Sequence, residues 1–282
     1  MKAMVAALRQ SRLLLAGVAI VSAFAAVGLL APWLAPYRPD AVAGDRYEHP
    51  SWSHLLGTND AGHDLFSRLL WGSRTTLVVA VCATSLILVI GIAVGLTAGL
   101  RGGLADTLVM RVVDVFLALP IIPLLIFIAA LAEPSLTLSI LMISLFSWPQ
   151  TARIVRSQTL SLRRRGFVDS AQGFGGGPLY VMRRHLIPAL GPVIGANLVF
   201  VAGLAVITEA SLSFLGLGDP AAVSWGAELN RALDNDLITI GSLWVWWLVP
   251  FGLALTLAIL GFTIIGVALE PRFNPRWSRS GA

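Results

Sequence analysis

Residues 75–100 read TTLVVAVCATSLILVIGIAVGLTAGL, a run without a charged side chain. A hydrocarbon core about 30 Å thick takes about 20 helical residues to cross. A membrane strand would instead alternate polarity over about ten residues. This run does not alternate, so it is a membrane-spanning helix. Working outward, the same test finds Leu13–Tyr37, Leu108–Ala132, Pro134–Ala152, Leu186–Thr208 and Leu237–Leu269. Asp114 lies near the start of the third span, and only Glu133 and Pro134 mark the join to the fourth, which predicts a tight helical hairpin. The fold class expected is an all-α polytopic membrane protein with six transmembrane helices.

Composition agrees, since the 282 residues are 56% hydrophobic and 12% charged, against about 25% charged in soluble domains. Basic residues collect on the cytoplasmic side of short loops. With the N-terminus inside, only Arg38, Arg46, Arg68, Arg74 and Arg231 fall on outer segments, while Lys2, Arg101, Arg153, Arg156, Arg163–Arg165, Arg183, Arg184 and the C-terminal arginines fall inside. Both termini are expected in the cytoplasm of a multi-pass cell-membrane protein. This asymmetry accounts for the basic excess, and no soluble basic domain exists to hold nucleic acid. Lys2, Arg9 and Arg12 before an apolar run, with Ala23-Phe24-Ala25 after it, imitate a signal peptide. The run is longer than a signal core, which favours a retained anchor.

Cys82 is the only cysteine and falls within the second span, read as a small buried hydrophobe, so no intramolecular disulfide or cysteine metal site arises. Gly91, Gly95 and Gly99 recur along one face of the same span, as do Gly191 and Gly195 in the fifth, and such spacing lets helices approach closely in lipid. Pro120, Pro123, Pro192 and Pro250 are candidate kinks. In the first outer loop Asn59 or Asp60 is expected to cap a short amphipathic helix, with Leu65, Phe66, Leu69 and Leu70 on its apolar face and Asp64, Ser67 and Arg68 pointing away. His54, His63, Asp60 and Asp64 are read as solvated polar groups and not as a metal site. Trp225, Trp244, Trp246 and Trp247 are placed as interfacial anchors.

Between the fourth and fifth spans, GFVDSAQGFGGGPLYVMRRHLIP (166–188) stands among arginines. Phe167, Ala171 and Phe174, with Val168 beside them, share one face of a short helix. Gly175–Gly177 stop it, and Pro178 opens a second helix running to Ile187. On its own the segment fits a basic loop resting on anionic lipid.

Asp169, Ser170, Ala171, Gly175 and Pro188 match the spacing of the EAA loop of ABC importer permeases, with Asp for Glu and Ser for Ala as departures, and the segment resembles that loop. HLLGTNDAGHDLFSRLLWGSR (54–74), EASLSFLGLG (209–218) with SWG downstream, and GVALEPRFNPR (266–276) extend the resemblance over nearly the whole chain. They narrow it to the peptide/opine/nickel branch of oligopeptide and dipeptide permease C type. In the ending, Val267, Glu270, Pro271 and Asn274 depart from the pattern.

The resemblance implies a type I importer fold in four parts: 1–37, N-terminus and first helix; 38–74, extracytoplasmic loop with its short helix; 75–270, the core with coupling loop 153–188 and outer loop 209–236; and 271–282, a cytoplasmic tail. It also implies alternating access, a second permease subunit in a heterodimer, two ATP-binding subunits and an extracytoplasmic substrate-binding protein. The ATPase-coupling residues are then Phe167, Val168, Asp169, Ser170, Ala171, Phe174, Gly175 and Pro188. No catalytic residue is expected. A phosphate-binding loop needs the Lys of GxxxxGK[ST], and the only lysine is Lys2. ATP and Mg therefore belong to partner subunits, and no cofactor is expected on this chain. A secondary carrier would be expected to carry mid-membrane ionisable groups, and an intramembrane enzyme a nucleophile–base or metal constellation; the spans are nearly empty of both. The residues leave peptide, nickel chelate and opine open as solutes.

Overall fold

The computed structural model describes residues 12–239 and 241–273, with the side chains at 169, 172 and 270–273 outside that description. The N-terminal residues 1–11 and most of the 271–282 tail lie outside it as well. In hydrocarbon a backbone must satisfy its own polar groups, and the apolar runs do so as helices. Helix α1 spans Arg12–Leu34, α2 Leu65–Arg101, α3 Gly103–Ala118, α4 Ile121–Leu131 and α5 Leu136–Arg163. A short α6, Gly166–Gly173, and α7, Pro178–Val181, precede a π-helical turn, Met182–Leu186, that leads into α8, Ile187–Phe214. The chain continues with α9, Trp225–Leu233, α10, Leu243–Trp246, and α11, Leu248–Phe273.

Among the described residues, five units are long and apolar enough to cross a membrane: α1, α2, α5, the run Pro178–Phe214 and the run Leu243–Leu269. Helices α3 and α4 make a sixth only as a pair, across a bend of 79°. The third span is thus broken where a single span was expected. Leu119, at φ −74° and ψ 137°, is extended, because the ring of a proline disfavours the helical region for the residue before it.

The separate amphipathic helix expected in the first loop does not form. Asp64, and neither Asn59 nor Asp60, is the cap, its Oδ2 accepting the Ser67 N–H at 2.7 Å. No proline interrupts the segment beyond this cap, and the helix runs 37 residues to Arg101. Asn59 closes a local turn instead, its Oδ1 accepting the N–H groups of Ala61 and His63. Ser67 and Arg68 do not point away; both are buried.

Helices α2 and α5 form the central contact. A Cβ on Gly91 would lie 2.6 Å from Thr151 Cβ, one on Gly95 2.5 Å from the Ala152 carbonyl oxygen, and one on Gly99 2.8 Å from Thr159 Cβ. Close approach of this kind matters because lipid removes the hydrophobic drive between helices and leaves van der Waals packing. Gly191 and Gly195 do not pack inside the chain: a Cβ on either would meet no atom within 4 Å. Cys82 is exposed, since it lies off the face on which Val79, Ala83 and Ile87 are buried.

The end of the bundle opposite α6 is covered by a cap made from residues 35–64, 215–239 and 241–247. Trp225, Trp246 and Trp247 are buried in it with Leu65, Leu243 and Phe251. Only Trp244 of the four expected interfacial tryptophans is exposed. The others have left the surface because α9 and α10 fold back over the ends of α2 and α11.

Candidate functional site

The α6 end is built by local rules. Helix α5 stops at Arg163, and Val168 N–H bonds back to the Arg165 carbonyl to start α6. Its end is a left-handed turn: the Gly176 N–H reaches the Ala171 carbonyl at 2.9 Å, and Gly175 between them has φ +86°. Glycine suits that position because a side chain there would crowd the next carbonyl. Pro178 sits in the first turn of α7, where its missing N–H costs nothing.

The expected apolar face of α6 is divided. Val168 is fully buried and Ala171 half-buried among Leu96 of α2, Val155 and Leu162 of α5, and Val181, Leu186 and Leu190. Phe174, which the helical spacing grouped with Ala171, is 95% exposed, and Phe167 is 39% exposed. The Phe167 ring lies 6.0 Å from His185, which meets Tyr180 edge-on at 5.6 Å. Ser170 is exposed and its Oγ donates to the Gly166 carbonyl. Asp169 falls within α6, with its side chain outside the description. Pro188 is not beside these residues in one short loop. The second expected helix merges through the π turn with the membrane run, and Pro188 sits in the first turn of α8. Arg163–Arg165, Arg183 and Arg184 are exposed or partly exposed around the site.

This end therefore has one side welded to three long helices and another presenting Phe174 in a field of arginines. Burying a side chain the size of phenylalanine is worth about 1.5–3 kcal/mol, and Phe174 does not make that burial within this chain.

Sequence reasoning missed the ion pairs that fasten the molecule. In the cap, Arg68 Nε donates to Glu228 Oε1 at 2.6 Å and Nη1 to the Pro39 carbonyl at 2.6 Å, while Trp247 Nε1 donates to Glu228 Oε2 at 3.3 Å. Trp225 Nε1 donates to the Leu69 carbonyl at 2.9 Å, and its ring meets Phe24 edge-on. His54 and Asp64 are buried and not solvated, with Nδ1 and Oδ1 3.0 Å apart and Tyr37 stacked on the imidazole. Burial holds the His63 imidazole below its usual range, and the Arg68 and Arg231 charges push the same way. Asp40 is lowered by hydrogen bonding to its own backbone, aided by Arg38. Within the bundle, Arg156 grips Asp106 with two bonds, at 2.5 and 2.6 Å. Arg153 pairs with Asp114. The signal for both was an arginine and an aspartate at matching depth on antiparallel helices. Among the described residues no group of three His, Cys, Asp or Glu is placed to hold a metal.

A family model described as a binding-protein-dependent transport system inner membrane component matches residues 91–279. The chain belongs to this family. A second, described as the N-terminal TM domain of oligopeptide transport permease C, matches residues 1–52. Among similar proteins, one from Brucella suis biovar 1 carrying the name of a peptide permease protein is 35% identical over 272 residues, 95% of this chain and 88% of its own. A glutathione transport system permease protein of Pectobacterium atrosepticum is 34% identical over 254 residues, 89% of this chain and 83% of its own. Of solved structures, the MetNI methionine ABC transporter in inward-facing conformations aligns with a TM-score of 0.49 at 20% identity, over 72% of this chain and 97% of that one.

As a binding-protein-dependent transport component, the chain is a multi-pass inner-membrane permease subunit of an ABC importer. It is a transport part and not itself an enzyme, and it works with partner subunits that include an ATPase and a substrate-binding protein.

Proposed function

We propose that this permease forms half of a path for short peptides, beside a second, non-identical permease, and that α6 is where one of two ATPase subunits takes hold. The observation that carries the coupling role is the two-sidedness of α6, with Val168 sunk among the ends of α2, α5 and α8 and Phe174 fully presented. Force applied at Phe174 is then passed to long helices through a packed contact, because packed interiors deform little. Gly175 holds the turn that sets the angle of Phe174, and Asp169 and the neighbouring arginines are the polar residues offered to the partner. The termini and α6 lie in the cytoplasm, in keeping with the arginines around α6. The cap then faces the binding protein. ATP and Mg bind the ATPase subunits, and this chain holds no cofactor.

Peptide is favoured as solute by the names of two relatives, which concern a peptide and glutathione. The complete importer, with binding protein and ATPase subunits in proteoliposomes, tests the reading. Phe174→Asp and Gly175→Val should keep membrane insertion and ATP hydrolysis while uptake of a labelled dipeptide is lost. Full uptake in both variants would sink the role of α6, and a binding protein isolated with a metal chelate or an opine would sink the choice of solute.

A further inference from the structure

Helix α3 presents one face to the bundle, where Met110, Val113, Phe116 and Leu117 pack. Asp106 and Val113 are its buried residues, and the Phe116 ring rests 5.7 Å from Trp148. Leu104, Leu108, Val112 and Val115 are exposed. Beside the apolar contact of Val113 and Phe116 with Ile143 and Trp148, two ion pairs join α3 to α5: Asp106 with Arg156 in two-bonded geometry, and Asp114 with Arg153, with Arg111 at 3.9 Å from the same carboxylate. A two-bonded arginine–carboxylate pair fixes direction as well as distance. Asp114 and Arg153 have side chains 46% and 54% exposed on this chain, against 11% and 29% for Asp106 and Arg156.

Beyond Asp114 the chain reaches the break at Leu119–Pro120 and turns through 79° into α4. The extended Leu119 sets this bend, and its N–H still bonds the Phe116 carbonyl at 3.3 Å. Helix α4 in turn is anchored by Leu125 and Ala129, which pack on Met142 of α5 and Leu212 of α8. A cavity of about 490 Å³ is bordered by Leu119 at the break and Ile122 and Leu125 of α4 on one side, and by Ser147 of α5 and Ile207 and Ser211 of α8 on the other.

The other end of the linkage is α6. Arg156 stands seven residues before the end of α5, about 10 Å along its axis, and α6 begins three residues beyond that end. We infer that α3 and α4 form one arm, positioned by α5 through the Asp106–Arg156 and Asp114–Arg153 pairs, so that a displacement of α6 is delivered to the wall of the cavity beside α8. This rests on the coupling role proposed for α6 and names the charged residues that carry it onward. The four side chains are positioning residues and need not touch the solute.

The test uses the complete importer in proteoliposomes, in a Cys82→Ser background with the reporter pair Ile122→Cys and Ile207→Cys across the cavity. The parent should change its cross-linking yield between the nucleotide-free and ATP-bound states. Asp106→Asn and Arg156→Gln should keep hydrolysing ATP while solute moved per ATP falls roughly tenfold, and the cross-link should stop responding to nucleotide. A merely structural role would lower ATP hydrolysis and uptake together and leave their ratio alone. Exchanging the charges, Asp106→Arg with Arg156→Asp, should restore both readouts. Where loss of the buried carboxylate prevents assembly, the half-exposed partners Asp114→Asn and Arg153→Gln carry the same test. An unchanged ratio and an unchanged cross-link response in the assembled variants would overturn the inference while leaving the role of α6 intact. A parent importer that shows no ATP-driven uptake would overturn that role, and the inference with it.

Discussion

Replacing Arg68 by methionine keeps the aliphatic stem and removes the guanidinium from the centre of the cap. Among the described residues, Glu228 is then left buried with the Trp247 indole at 3.3 Å as its remaining side-chain partner, and the Pro39 carbonyl loses the Arg68 donor. Breaking one side of a buried ion pair costs about 3–5 kcal/mol. Spread over the opening equilibrium of the cap, that is roughly a hundredfold to a few thousandfold. Hydrogen exchange of the amides of α9, measured on protein held in nanodiscs, should accelerate by that factor, while amides of α5 near Thr151 stay protected. Removing both charges, with Arg68→Met and Glu228→Leu together, should recover most of the loss, because a whole buried pair is often replaceable by apolar groups. Exchange in the single variant within a few-fold of the parent, or a double variant no better than the single, would refute the claim that this pair holds the cap.

Packing and charge give two further outcomes. Gly95→Leu drives a side chain into the Ala152 carbonyl and Val155, and overpacking of that kind costs about 1–3 kcal/mol; thermal unfolding in detergent should show it, whereas Gly191→Leu, at an open position, should leave this chain's own stability unchanged. His63 is held below its ordinary value by burial and by Arg68 and Arg231, so the folded cap binds fewer protons than the unfolded one. The stability this lends is fully present above the ordinary histidine value of about 6.5 and is lost as pH falls through the window below it. Cap amides should exchange faster at pH 5.5 than at pH 7.5, once the intrinsic pH dependence of exchange is divided out, and His63→Gln should reduce that difference; an identical pH response in the variant would remove His63 from the account.

Membrane identity, the number of apolar runs and the position of the α6 segment were legible in the sequence for a plain physical reason. Hydrocarbon forbids charge and unpaired backbone over a fixed length, so runs such as 75–100 admit one structure. Gly175 could likewise be assigned to a turn, since its place after a short helical pattern and among glycines is a local signal. The orientation of α6 was only half legible. Spacing grouped Phe167, Ala171 and Phe174, but spacing cannot say which side of a short helix finds a wall. The ends of α2, α5 and α8 supply that wall to Val168 and Ala171, and Phe174 is left outside.

Tertiary structure alone decided the rest. The stretch 59–74 carries a helix signal with no way to tell a surface helix from the start of a span, and the answer came from the cap that buries Asp64, Ser67 and Arg68. Trp225, Trp246 and Trp247 read as interfacial by composition and became core because α9 and α10 fold back. Gly191 and Gly195 carry the same motif as Gly91 and Gly95, yet only the latter meet a neighbour in this chain. The sequence by itself determined which segments must leave water. The structure decided which charges meet when they do, because Arg68 with Glu228, and Arg156 with Asp106, pair across separations in the chain that no local pattern encodes.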